Sequence, residues 1–376
     1  MKLNFAWEKV YKKKSKSSFV AAKTPKFIKN LKRNFLLTLV GFVVLIILLK
    51  FIGYGAIFRT IALINIWFIV LMFLTKVASL MLFNYKAYLL TRNIKKISYW
   101  KLLPIHLAGS LINQLTPGPS VGGEPLKAYY LEKATGARGS VCMGIYGMDS
   151  LVFLVAAAIF MTLSTLFLLF SIQIEKLRYF LIGWFFIALI FAIVVVLVIF
   201  KISKNKKRFN KVLIWLYHFR FLKILRKHFK SADAFVKNLH LKRKTFIKTL
   251  KRLSKDRKTI SKTLVAALLW YPLQALGLWL LFKGMGFHVP FLRLVAVVTV
   301  SMTLGFLIFV PGGTGAFESA VILLMSMLGV PASTITAAVL LDRAAYYMIT
   351  YVVGYFSLSY IAVVYTGTEK MYRKIK

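Results

Sequence analysis

Asn113-Gln114-Leu115-Thr116-Pro117-Gly118-Pro119-Ser120-Val121-Gly122-Gly123-Glu124-Pro125 is a polar, helix-breaking stretch set between apolar segments. Its three prolines and three glycines forfeit helical hydrogen bonds, and Glu124 adds a charge. At membrane depth such a backbone is tolerated only where protein or a water-filled cavity satisfies it, which makes the stretch a site candidate. A second break follows at Pro311-Gly312-Gly313-Thr314-Gly315-Ala316-Phe317-Glu318, where a glutamate again stands seven residues after the proline of a Pro-Gly pair.

The segments around these breaks point to a bilayer. The 376-residue chain is 59% hydrophobic, with a mean hydropathy of +0.72 and several apolar runs near the length a membrane requires. The expected fold class is an all-α polytopic membrane protein with about six full spans and two re-entrant broken-helix hairpins. A net charge of +43, from 53 Lys and Arg against 10 Asp and Glu, falls in blocks between the apolar runs. That is the positive-inside pattern, and the partner it implies is an anionic inner leaflet rather than nucleic acid. The single cysteine, Cys142, excludes an intrachain disulfide and a cysteine-based metal cluster. The five histidines show no metal-ligand spacing and no nucleotide-binding P-loop is present, so no metal or cofactor is expected.

Taken in order, residues 1–33 carry eleven Lys or Arg and should stay in the cytoplasm. Residues 34–200 form a first membrane half, with spans at 34–51, 61–83, 141–170 and 179–200 and a re-entrant motif at 102–126. Residues 201–262 hold 22 Lys and Arg, with Leu213, Leu216, Phe219, Leu222, Leu225, Phe229, Phe235 and Leu239 recurring at helical spacing. This reads as an amphipathic helix or helix pair lying on the anionic leaflet, or else as a solvated linker. Residues 263–365 form the second half, with spans at 264–282 and 333–364 and a re-entrant motif at 291–328. A basic tail, 366–376, places the C-terminus with the N-terminus in the cytoplasm of a cell-membrane protein.

This topology sends the first hairpin in from the cytoplasm and the second from outside. Asp149 lies 25 residues after Glu124 and Asp342 lies 24 after Glu318, so break, glutamate and aspartate recur in a weak inverted repeat. Paired broken segments in two halves are the sequence pointer to a transporter's midplane site. Each intramembrane charge costs about 2.5–3.5 kcal/mol on insertion scales, so the four carboxylates must be paired, protonated or wet. Glu124 and Glu318 fall near the start of a half-helix, where they can cap it. The same N–H groups, helped by Lys127 and Arg343, can hold a lipid phosphate. Asp342 and Arg343, about 100° apart on a helix, must each face something else. The candidate substrate-binding or transport residues are Asn113, Pro117, Gly118, Gly122, Gly123, Glu124, Lys127, Asp149, Pro311, Gly312, Gly313, Gly315, Glu318, Asp342 and Arg343, and none is assigned a catalytic role.

The run Asn113-x3-Pro117-Gly118-x3-Gly122-Gly123-Glu124-Pro125-x-Lys127-Ala128, with Asp149, Pro311-Gly312-Gly313-x-Gly315-x-Phe317-Glu318 and Asp342-Arg343, resembles the lysylphosphatidylglycerol synthase transmembrane region, or flippase-like domain, family. The resemblance spans about residues 35–365 and implies an integral membrane protein handling lipids. Known members move aminoacylated phosphatidylglycerol between leaflets or act in glycolipid and polyprenyl-phosphate pathways. Lys127 stands where the family usually has Arg, which replaces a bidentate fork with a point charge. Full lysyltransferases carry a soluble catalytic domain after this region, whereas this chain runs only to Lys376. The expectation is therefore a lipid flippase or head-group transporter for an anionic, aminoacylated or polyprenyl-phosphate-type lipid, working with a separate lipid synthase. The alternative is a membrane-embedded lipid-modifying enzyme that uses the intramembrane carboxylates. Its sharpest form, an aspartyl protease with Asp149 and Asp342, lacks the G-x-G-D context.

Overall fold

The computed structural model describes residues 64–116, 122–171, 232–307 and 311–374, with isolated positions at 59, 61, 62, 178, 179, 182–186, 189 and 190. Side chains are described over the same ranges except at 232–243, 306–311 and 366–374. All regular structure among these residues is helical: α1 (Ile66–Ile94), α2 (Tyr99–Leu115), α3 (Gly123–Thr135), α4 (Gly139–Ser171), α5 (Ala232–Lys255), α6 (Arg257–Gly284), α7 (Phe291–Leu307), a 3-10 turn (Pro311–Gly313), α8 (Ala316–Met327), α9 (Ala332–Tyr347), a π-helical segment (Met348–Val353) and α10 (Gly354–Lys374). Four stretches are long and apolar enough to cross a bilayer: α1, α4, α6 and the continuous run Ala332–Tyr365. They answer to the spans expected at 61–83, 141–170, 264–282 and 333–364. The spans expected at 34–51 and 179–200 lie wholly or largely outside the described residues.

Each helix boundary follows from local chemistry. Asn65 caps α1, its Oδ1 accepting from the Trp67 N–H at 3.0 Å. Pro125 sits in the first turn of α3, where its missing N–H costs nothing, and Gly136 ends that helix in the left-handed conformation at φ 63°. Asp256 starts α6: its Oδ1 accepts from the Thr259 N–H at 3.0 Å, and its Oδ2 accepts from the Thr259 hydroxyl at 2.9 Å and from Asn93 Nδ2. These bonds tie the end of α1 to the start of α6 and hold the Asp256 carboxyl below its ordinary range, the Thr259 backbone N–H contributing most.

Along α1 the usual burial pattern is reversed. The buried face of α1 is mostly polar, with Thr75, Lys76, Ser79, Asn84, Lys86 and Thr91, while Ile66, Trp67, Leu71 and Leu74 are exposed. Leu163, Phe170, Leu269, Phe356 and Val363 are exposed in the same way. Exposed apolar faces around buried polar ones describe a bundle whose outer solvent is hydrocarbon. Helix α1 lies along α6, and α7 lies against α4. Helices α2 and α3 form one antiparallel hairpin, and α7 and α8 form the second around the 3-10 turn.

The basic segment 201–262 is described from Ala232, and most of the stripe named from sequence lies outside it; Phe235 and Leu239 fall on α5, where their side chains are not described. Its continuation, Phe246, Thr249, Leu250 and Leu253, packs on α4, with Leu253 fully buried. Gly144 and Gly147 make room for this: added Cβ atoms would stand 2.7 Å from Thr249 Cβ and 3.0 Å from the Phe246 ring. Lys248, Lys251, Arg252 and Lys255 face outward on the same helix.

Candidate functional site

The first break is held by a close approach of two backbones. Gly123 N–H donates to Asn113 Oδ1 at 2.6 Å and so joins α2 to α3, while the candidates Pro117 and Gly118 lie outside the described residues. A Cβ on Gly123 would stand 2.1 Å from the Gly109 carbonyl oxygen, so only glycine fits. The second break needs positive φ at Gly312 (66°), Gly313 (65°) and Gly315 (85°), and Pro311 opens it as the first residue of the 3-10 turn. Gly122 is the N-cap of α3 and Gly315 that of α8.

The two breaks meet. Gly312 lies against the Gln114 side chain, where an added Cβ would approach Nε2 to 2.4 Å. Tyr346 Oη donates to Gln114 Oε1 at 3.3 Å, which joins the end of α2 to α9. Farther along the same seam, Gly354 admits Leu111, whose Cβ would lie 2.9 Å from a Cβ there.

All four repeat-related carboxylates are paired. Glu124 Oε1 lies 2.9 Å from Lys127 Nζ, and Glu318 Oε1 lies 3.2 Å from Arg343 Nε. Asp149 Oδ1 lies 2.7 Å from Lys86 Nζ, and Asp342 Oδ1 lies 2.6 Å from Lys76 Nζ. In each half the glutamate beside the break takes a cation from its own half, and the later aspartate takes a lysine from α1. Lys76 and Lys86 are ten residues apart, about 15 Å along the helix axis. One helix thus neutralises the aspartates of both halves. Asp342 and Arg343, adjacent in sequence, have different partners.

Secondary contacts fix these charges. Lys86 Nζ also donates to the Asp149 carbonyl at 3.4 Å and sits 4.4 Å from the Phe83 ring centroid. Lys76 Nζ donates to Gln274 Oε1 at 3.3 Å, and Gln274 Nε2 donates to Ser79 Oγ. Glu318 Oε2 accepts from the Gly315 N–H at 2.7 Å, so it caps its own helix while holding Arg343. The Tyr347 hydroxyl donates to Glu318 Oε1 at 3.2 Å, and the Arg343 guanidinium stacks over Phe317 at 3.7 Å.

Sequence reading missed Lys76, Lys86, Gln114, His106, Tyr146, Tyr346 and Tyr347. Lys76 had the available signal, a charge inside an apolar run, but it reads there as an interruption of the span. Lys86 reads as one more positive-inside residue. His106 and Tyr146 carry no pattern; they lie buried beside Lys127 and Lys86, 6.2 Å apart ring to ring. Both His106 nitrogens, the Tyr146 hydroxyl and Glu124 Oε2 are buried without a protein hydrogen-bond partner, which makes the first-half cluster richer in polar groups than its own contacts satisfy. Among the described residues no three His, Cys, Asp or Glu side chains are grouped as metal ligands.

Comparison with known proteins agrees with this architecture. The family model described as the lysylphosphatidylglycerol synthase TM region matches residues 35–354. A UPF0104 membrane protein of Pyrococcus horikoshii is 25% identical over 327 residues, covering 86% of this chain and 95% of the relative. Another, from Methanocaldococcus jannaschii, is 23% identical over 337 residues, 87% of this chain and 94% of the relative. A phosphatidylglycerol lysyltransferase of Staphylococcus aureus is 36% identical over a 67-residue stretch, 18% of this chain and 8% of that enzyme. These matches, with the apolar exterior and the charges buried inside it, make this an integral membrane protein with a lipid-related role, and the chain belongs to the lysylphosphatidylglycerol synthase TM region family.

Proposed function

We propose that the protein moves the polar head of an anionic, aminoacylated or polyprenyl-phosphate-type lipid between leaflets, through the seam where the two broken hairpins meet. The observation that carries this reading is the arrangement of four carboxylate–cation pairs inside the bundle, two partly buried at the breaks and two fully buried on α1. A purely structural bundle has little use for them, because a buried ion pair is weak as a source of stability. Intramembrane ionisable groups mark substrate or ion pathways by default.

The chemistry is partner exchange. A lipid phosphate arriving at Arg343 competes with Glu318, and the displaced glutamate keeps its bond from the Gly315 N–H. Lys127 and Glu124 offer the same exchange in the first half. The unsatisfied His106, Tyr146 and Glu124 atoms supply further donors and acceptors beside Lys127. Acyl chains remain in the bilayer against the apolar outer faces. Asn113, Gly122, Gly123, Pro311, Gly312, Gly313 and Gly315 act in this scheme by shaping the breaks. Both termini are placed in the cytoplasm, the exposed cations of α5 face the anionic leaflet of the cell membrane, and a separate synthase supplies the lipid.

Purified protein in liposomes containing head-group-labelled phosphatidylglycerol, lysyl-phosphatidylglycerol or a polyprenyl phosphate tests the proposal. Leaflet exchange should exceed that of protein-free liposomes and fall strongly in Glu124→Gln, Glu318→Gln and Arg343→Ala. Exchange no faster than in empty liposomes for every lipid in the panel would remove it. For the inverted topology, cysteines introduced at Ser120 and Thr314, in a background with Cys142 replaced, should label from opposite sides.

A further inference from the structure

A second feature lies away from the hairpin charges, where α1 ends, α2 begins and α3 turns back. There a cavity of about 490 Å³ is lined by Tyr88, Arg92, Lys96, Ser98, Lys101 and Ala134, together with Ile97. Arg92, Lys96 and Lys101 are exposed, and none is ion-paired among the described residues. No carboxylate lines the cavity. Ser98 precedes α2 without using its hydroxyl to cap it. Three exposed cations, none ion-paired among the described residues, thus surround a concavity of ligand size.

The aromatic residues beside it set its depth. Tyr88 packs edge-on against Tyr99 at 5.7 Å, Tyr99 against Trp100 at 5.3 Å, and Trp100 is 68% exposed. Amphipathic rings of this kind mark the head-group level of a bilayer. A basic pocket between helix ends at that level matches the phosphate of a lipid whose chains lie along the neighbouring helices.

We propose that this cavity binds a phosphate-bearing anion, in the membrane a lipid head group, as a discrete site separate from the hairpin charges. It goes beyond the transport reading and stands whether or not leaflet exchange occurs. The shape of the pocket sets it apart from general attraction to an anionic surface.

Native mass spectrometry of the full chain in detergent provides the test, with phosphatidylglycerol in one arm and inorganic pyrophosphate in the other. Binding in either arm supports the site and identifies the source of the phosphate; binding in neither overturns it. The triple variant Arg92→Gln, Lys96→Gln, Lys101→Gln should bind on the order of a hundredfold more weakly, at about fivefold per cation. Arg59→Gln, Arg178→Gln, Lys283→Gln removes equal charge from exposed positions near the opposite ends of α1, α4 and α6 and should bind within about twofold of the parent, as electrostatic attraction is local on the scale of the Debye length. Equal losses in the two triples would reduce the effect to diffuse charge and overturn the proposal. Ala134→Trp keeps every cation but fills the cavity; it should also lose binding, and retained affinity would show that the pocket is not the site.

Discussion

The Lys76–Asp342 pair offers the sharpest test of how this bundle is held. The two side chains are 5% and 4% exposed and 2.6 Å apart, and the lysine comes from α1 while the aspartate comes from α9. Asp342→Asn leaves Lys76 with only Gln274 as a neutral partner, a buried charge without its counter-ion. Breaking a buried pair in this way costs about 3–5 kcal/mol. Replacing both members by apolar residues of similar volume, Lys76→Met with Asp342→Leu, removes the desolvation cost with the attraction and should be close to neutral. At roughly 2 °C per kcal/mol for a chain of this size, the single variant should lose about 6–10 °C of apparent melting temperature and the double variant only a few degrees. Tryptophan fluorescence during heating, in detergent and with size-exclusion profiles checked, reads both. A double variant as unstable as the single would refute the electrostatic account and leave packing between α1 and α9 as the determinant. Leaflet exchange separates structure from function: the apolar double variant should stay folded and exchange more slowly, because one of the four charge pairs is gone while those at Arg343 and Lys127 remain.

Further outcomes follow from individual contacts. Gly123→Ala forces a methyl against the Gly109 carbonyl and should destabilise the first hairpin by about 1–3 kcal/mol, read by the same thermal assay. Arg343→Lys keeps the charge but removes the planar group stacked on Phe317, and exchange should fall well below that of the parent even though the variant folds. Asp256 has a carboxyl pKa lowered by folding, so its contribution is present above the unfolded carboxylate pKa of about 3.9 and is lost as pH falls through the lower folded value. Asp256→Asn should therefore lower stability by a constant amount at neutral pH and flatten the acid limb of the stability curve below about pH 4.

Much of the membrane architecture is legible without coordinates. Apolar length alone identifies α1, α4, α6 and the final run, because a span must satisfy its own backbone over a fixed thickness. The breaks are legible for the converse reason: Pro-Gly pairs cannot continue a helix, so the ends of α2 and α7 follow from composition. The last span carries a local feature that sequence does not show, a π-helical segment at Met348–Val353. The candidate carboxylates stand out because a charge in an apolar run is conspicuous, whereas Gln114, His106 and Tyr146 are ordinary residues until folding buries them.

What the sequence by itself determined is the class of protein, the position of both helix breaks and the repetition of glutamate and aspartate after each. What only the tertiary structure decided is which cation meets which carboxylate. Arg343 turns from its neighbour Asp342 to Glu318, and α1 reaches both halves through Lys76 and Lys86. The reason is physical: helix periodicity and hydrophobicity act over a few residues and are written along the chain. A buried charge instead takes whatever counter-charge the packing brings within about 3 Å, and here that packing joins residues up to 266 positions apart.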